Sequence, residues 1–356
     1  MNGFPKHRIA LALAGGNALG AWQAGAFETL AARGHRPDRV SGASIGAVNG
    51  AIIAGNPPER AVERLRELWS PAAGPWSWWP AGWDEWRRTA AVTAAVTTGR
   101  LDLFVPRALT PSGWFPDGDE ELGLFDSRPM LATLERLVDW PRLNDGTTRV
   151  SLSAVELDSG EDAVFDTRDM TLGPEHVRAS AALMPVFPPV EIDGRAYVDP
   201  GLSANLPLDA VLGDPGPAPL LVFALDLLPL ASPHPRSMGE AIGRAQDIVF
   251  AAQTRRTIDA WKTVYDLHGA DAPSVTLARL SYSDQGREVA GKAFDFSPET
   301  AADRWASGAA AMTAFLDELE SGRIPLGEPG LTVFRDVEES KLAVGTFRLR
   351  AAGKAG

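Results

Sequence analysis

The sequence predicts an α/β fold: a mostly parallel central sheet flanked by helices, carrying an irregular aromatic-rich insertion. Three observations lead there. Residues 8–14, RIALALA, form a continuous apolar run bounded by glycine, as a buried parallel strand would. After a Gly-rich turn, Leu19, Trp22, Ala26 and Leu30 recur at spacings of three and four, marking an amphipathic helix that stops near Gly34. A second short strand, Val40 to Ala43, then turns at Ser44 into a helix over Ile45 to Ala54. Strand, turn, helix, repeated, implies parallel strands joined by right-handed crossovers.

Further along, residues 57–70 predict a charged amphipathic helix. Composition then shifts: PAAGPWSWWPAGWDEWRR sets Trp76, Trp78, Trp79, Trp83 and Trp86 among prolines and glycines, and the weakly patterned TAAVTAAVTTG follows. Residues 71–122 are therefore expected to be an irregular insertion over the sheet. Its tryptophans suit an aromatic core that seals the insertion, the preferred reading, or a lip that meets lipid, since Trp favours membrane–water interfaces. Regular structure resumes with a helix from Ser127 to Val138 and strands at 149–157 and 161–167 across Asp158-Ser159-Gly160. VEI and RAYV form a hairpin closed by Asp193-Gly194, a strong turn dipeptide. A strand at 219–228, a long helix from Met238 to Leu267, a strand at 274–282 and a helix from Pro298 to Leu319 complete the pattern. The expected domain spans residues 8–320. A poorly patterned tail, 321–356, contains only the short GLTVF and GTFRL runs.

Composition narrows the functions. The 356 residues are 45% hydrophobic and 22% charged, enough for a sizeable core. No cysteine is present, so disulfides and thiolate metal sites are excluded. A net charge of −12 argues against nucleic-acid partners and against long-range attraction to anionic lipid, leaving any lipid contact apolar and local. The opening MNGFPKHR lacks a signal peptide's h-region, and no stretch approaches the roughly 18 apolar residues of a spanning helix. A cytoplasmic protein is expected. Histidines and acids lack metal-ligand spacing, so neither metal nor cofactor is expected.

Chemistry concentrates at two glycine-bearing turns. Gly42-Ala43-Ser44-Ile45-Gly46 fits the nucleophile-elbow pattern G-x-S-x-G, whose glycines permit a sharp strand-to-helix turn that exposes the serine. A simple helix start with Ser41 or Ser44 as N-cap would leave the same trace. Gly15, Gly16 and Asn17 follow the first strand, and successive N–H groups in such a turn can cradle an anion. Neighbouring parallel strands bring both turns to one crevice. Dinucleotide binding fails here: Asn17 stands where the second glycine of G-x-G-x-x-G belongs, and no acid ends the second strand.

A serine needs a base. Asp226 and His268 could complete the Ser-Asp-His order of an α/β-hydrolase, but that fold normally lays down several strands before its elbow, and His268 reads more simply as a helix C-terminal residue. Asp199 is better placed, ending the strand RAYV at a Pro-Gly turn; a carboxylate serves as base if burial raises its pKa. It could equally be an Asx-turn residue.

Taken in order, AGGNALG at 14–20, GASIG at 42–46 and DPG at 199–201 resemble the patatin-like phospholipase family, as do "ALGAWQAG", "AGNPPER", "ASAALMPVFPPVEIDGRAYVDPGLSANLPL" and "RWASGAAAM". The likeness covers roughly residues 8–320. It implies a serine lipid acyl hydrolase with a Ser44–Asp199 dyad and no histidine. An oxyanion would be held by the N–H groups of Gly15, Gly16 and Asn17, helped by that of Ile45. The implied partner is a lipid or other acyl ester, with transient membrane contact. Three positions depart from the family pattern. Asn17 replaces a glycine, Leu19 replaces a basic residue, and Pro200 replaces the first glycine after the aspartate. Pro200 lacks an N–H and restricts Asp199 to extended conformations, which leaves a catalytically weak lipid-binding scaffold as the alternative reading.

Overall fold

The computed structural model describes residues 7–70, 82–107, 122–232 and 234–335. β1 (Arg8–Leu13), a 3₁₀ turn (Asn17–Leu19), α1 (Gly20–Ala32), β2 (Arg39–Gly42) and α2 (Ile45–Ala54) come first. Next are α3 (Pro58–Trp69), α4 (Asp84–Thr98) and the short strands β3 (Val105–Pro106) and β4 (Phe125–Asp126). Helices α5 (Pro129–Leu137) and α6 (Trp140–Leu143) lead to β5 (Arg149–Glu156) and β6 (Asp162–Asp166). Beyond them lie α7 (Pro174–Ser180), β7 (Val190–Ile192), β8 (Arg195–Val198), α8 (Gly201–Ala204) and α9 (Asp209–Leu212). The described chain closes with β9 (Leu220–Asp226), α10 (Met238–His268), β10 (Ser274–Ser281), α11 (Pro298–Glu320) and β11 (Gly330–Arg335).

Among the described residues the main sheet has nine strands in the order β11-β10-β9-β1-β2-β5-β8-β7, with β6 also on β5. From β11 to β5 every neighbouring pair is parallel, and β6, β7 and β8 add antiparallel pairings. The mostly parallel sheet read from the sequence is thus the fold. β1 and β9 lie at its centre and are buried almost throughout, which explains their unbroken apolar runs. Register aligns Leu13 with Gly42 on one side and with Leu225 on the other. The turn after β1 and the elbow after β2 therefore leave the sheet side by side.

Two helices cross without room for side chains between them. A Cβ at Gly25 of α1 would run into the Trp305 carbonyl of α11, and one at Gly308 would run into that of Trp22. The VEI–RAYV hairpin is closed by Asp193 at φ 51° and Gly194 at φ 76°, the paired left-handed conformation of a type I′ turn.

The insertion differs from expectation in one part. Residues Asp84–Thr98 are a regular 15-residue helix, α4. Its buried positions are Arg87, Arg88, Ala91 and Ala95, so the inward face carries two arginines and no large apolar residue. A hydropathy pattern cannot reveal such a face. Arg87 donates to Ser297 and Glu299, and Arg88 donates to Asp303, tying α4 to the start of α11. Trp76, Trp78 and Trp79 lie outside the described residues. Trp83 and Trp86 are 54% and 66% exposed, which corrects the sealed-core reading for these two. The GLTVF run of the tail begins β11, which pairs in parallel with β10 at the sheet edge.

Candidate active site

Ser44 sits between β2 and α2 at φ 55°, ψ −124°, a conformation that L residues adopt only under constraint. The glycines of the motif permit it. A Cβ at Gly46 would collide with the Leu13 carbonyl, and one at Gly42 would lie 2.6 Å from the Gly46 carbonyl oxygen. With α2 pressed so closely on the end of β1, all ten of its residues are buried. The Ser44 N–H donates to the Ser180 carbonyl and side chain, each at 3.1 Å.

Asp199 reaches the same place from β8. Its N–H donates to the Ala182 carbonyl at 3.1 Å, so the last residue of α7 and the turn just after it hold the two residues by their backbones. Among its carboxylate oxygens, Oδ1 accepts from the Gly201 N–H at 2.7 Å, whereas Oδ2 is buried with no hydrogen-bond partner. Burial pushes the carboxyl up to about 6; the Ser44 side chain and the Gly201 N–H pull in the other direction. The Ser44 side chain thus opposes the rise of the carboxyl pKa, although no hydrogen bond joins the two side chains.

The turn after β1 borders them. Asn17 has φ 51°, the left-handed conformation that asparagine tolerates better than most residues. Gly16, Asn17, Ser44, Ile45 and Asp199 line one cavity. Ile45 opens α2, where an N–H has no intrahelical acceptor. Gly15 departs from expectation, because its N–H donates to the Asn205 carbonyl at 3.0 Å and is unavailable to an oxyanion. Leu19 is fully buried and lines the cavity, so no charge stands at that position.

Sequence reasoning missed the scaffold beneath these turns. Gln23 donates to the carbonyls of Ala14 and Leu225, Asn49 donates to Gly20 and Gln23, and Trp69 donates to Asn49. The available signal was a Gln and an Asn inside helices made otherwise of small and apolar residues, since a buried amide must find partners. The competing triad does not assemble. Asp226 is fully buried in an ion pair with Arg279 at 2.9 Å, and exposed His268 bonds the Val264 carbonyl of its own helix.

The cavity measures about 1320 Å³. Phe104, Met130, Phe187, Phe250 and Phe294 form much of its apolar wall, with Phe104 edge-on to Phe187 at 5.5 Å. Its mouth carries Arg236, Arg287 and His234, all exposed. Such a site can expose an alcohol to a buried carboxylate while an apolar chain lies alongside. Among the described residues, no group of three His, Asp or Glu side chains could hold a metal, and no helix is long and apolar enough to cross a membrane.

Residues 11–212 match the description of the patatin-like phospholipase family, and residues 237–325 match a second one, patatin phospholipase. No curated protein matches the chain. Two solved structures are similar at 14% identity each. One is VipD from Legionella pneumophila, with TM-score 0.42 over 88% of this chain and 67% of that one. The other is the type III effector protein ExoU, with TM-score 0.35 over 89% of this chain and 54% of that one. Because the first family match takes in more than half of the sequence and contains the elbow, the Gly-rich turn and Asp199 together, the chain belongs to the patatin-like phospholipase family.

Proposed function

We propose that this protein is a serine lipid acyl hydrolase of the phospholipase A type, working through Ser44 and Asp199. One observation carries the reading: a strained, elbow-borne serine beside a fully buried carboxylate whose pKa has risen to about 6, at the wall of an apolar cavity. Ionised Asp199 takes the Ser44 proton on Oδ2 as the hydroxyl oxygen attacks the ester carbonyl. The N–H groups of Gly16, Asn17 and Ile45 hold the resulting oxyanion, each on the scale of about 2.7–4 kcal/mol. Collapse of the intermediate breaks the ester bond, and Asp199 passes its proton to the leaving alcohol. Water then loses a proton to Asp199, attacks the acyl-serine, and the proton returns to Ser44. The unit carrying this chemistry is the domain read from the sequence over residues 8–320, together with β11, which joins its sheet.

Exposed Trp83, Trp86, Met238 and Ile242 lie on the helix starts that border the cavity mouth and support transient contact with a membrane there. A fluorophosphonate probe tests the reading. Covalent labelling of Ser44, lost in Ser44→Ala, together with hydrolysis of p-nitrophenyl esters, supports it. Unlabelled but folded protein that still binds phospholipid vesicles would favour the non-catalytic scaffold.

A further inference from the structure

Three segments far apart in the chain meet behind Asp199. They are the turn after β1, the stretch from Asp199 to Asn205, and the middle of α10. Gly15 and Asn205 clamp each other: the Gly15 N–H donates to the Asn205 carbonyl at 3.0 Å, and Asn205 Nδ2 donates to the Gly15 carbonyl at 3.2 Å. Asn205 is only 4% exposed, so neither bond is readily replaced by water. A Cβ at position 15 would lie 2.5 Å from Asn205 Oδ1 and 3.0 Å from Ser44 Cβ. The turn is therefore wedged between Asn205 and Ser44, and a shift of either moves it.

What holds Asn205 comes from α10. Its N–H donates to Gln253 Oε1 at 3.0 Å, and Gln253 Nε2 donates to the carbonyls of Gly201 and Leu202, each at 3.1 Å. α8 has four residues, too few to satisfy its own last carbonyls. One amide side chain thus completes the helix that begins just after Asp199. From the geometry, and resting on the reading of the site given above, we infer that Gln253 and Asn205 are positioning residues of the acyl-transfer site. Gln253 fixes the Asp199–Asn205 segment from α10, and Asn205 fixes the oxyanion turn against Ser44. Gln253 lies in the segment matched by the second family description, so this contact gives a physical reason for the two matched segments to act as one catalytic unit.

Misplacing a reacting group by about 1 Å can cost about 10²-fold in rate. Gln253→Leu and Asn205→Ala are compared with wild type for hydrolysis of p-nitrophenyl butyrate, thermal unfolding and amide hydrogen exchange. The expected result is a kcat lowered by about ten-fold or more with KM little changed. Exchange should quicken in residues 14–18 and 199–206 while β9 and β10 keep their protection. Unchanged exchange in those two segments overturns the inference, as does loosening spread over the whole sheet or a rise in KM alone. Gln253→Leu alters a half-buried side chain and guards against a buried Asn205→Ala protein that fails to fold. Should wild type hydrolyse no ester and take up no fluorophosphonate, the functional reading fails, and the exchange measurement alone decides the positioning role.

Discussion

Asp199 Oδ1 takes its 2.7 Å hydrogen bond from the N–H of Gly201, not from the residue that follows it. Pro200 stands between them at φ −74°, ψ 0°, and leads into α8. At the start of a helix a missing N–H costs nothing, and a fixed φ is already suitable. The departure from the family's glycine therefore removes no bond that orients the carboxylate. Pro200→Gly should leave kcat/KM essentially unchanged and lower stability by about 0.4–1 kcal/mol through the freer unfolded chain. Ester kinetics and urea titration check this; a large gain in rate would mean that proline holds Asp199 badly.

The raised pKa of Asp199 has consequences for rate and for stability. In the proposed mechanism the ionised carboxylate accepts the serine proton, so kcat/KM should rise through a single ionisation near pH 6 and level off above it. Asp199→Asn should lower kcat by about 10²–10⁴-fold and erase that limb. For stability the sign is opposite to that of a salt-bridged acid. The folded protein holds this proton more tightly than the unfolded chain does, so stability falls as pH rises from the ordinary value of 3.8 to about 6. At about pH 8 the Asn variant should be more stable by up to about 3 kcal/mol, a difference that closes below about pH 4. Urea denaturation at the two pH values reads it directly.

Backbone strain at Ser44 makes a separate prediction. Glycine adopts φ 55°, ψ −124° without a side-chain clash, whereas alanine does not. Ser44→Gly should therefore raise the unfolding free energy by about 1–3 kcal/mol, and Ser44→Ala should leave it near wild type, with neither protein taking up the probe. Equal stabilities would show that the elbow stores no strain.

Gly308 and Gly243 both lie inside helices and should respond to alanine in opposite directions. At Gly308 the new methyl group meets the Trp22 carbonyl and the Ala26 nitrogen, forcing α1 and α11 apart at a cost of about 1–3 kcal/mol or more. At Gly243 of α10 nothing lies within 4 Å, and alanine should stabilise by about 0.5–1 kcal/mol. Melting temperatures of the two single variants provide the comparison.

The strands and most helices were legible because burial leaves a local trace. β9 is apolar at nearly every position because both of its faces are covered, and the Asp193-Gly194 pair declares its turn through residues that tolerate positive φ. Ser44 and Asp199 could be singled out for the same reason, each sitting where a strand gives way to a glycine-bearing turn. α4 stayed hidden, since arginines on its inward face are balanced by acids from α11, a partnership between residues more than 200 positions apart. The exposure of Trp83 and Trp86 was equally unreadable: the sequence contains aromatic rings but does not say whether anything covers them.

The amino-acid order by itself determined the alternation of strand and helix, the two glycine-bearing turns, and the placing of Ser44 and Asp199 each at the end of a strand. Those are properties of neighbouring residues, set by sterics and hydropathy within a few positions. Tertiary structure decided which amides remain free, since the Gly15 N–H is taken by Asn205, and how far the Asp199 carboxyl rises, since that depends on complete burial. It also decided that Gln253, some fifty positions away, would hold the turn after Asp199 in place. Hydrogen-bond commitment and desolvation belong to the packed molecule, because both depend on which distant groups arrive and which water leaves.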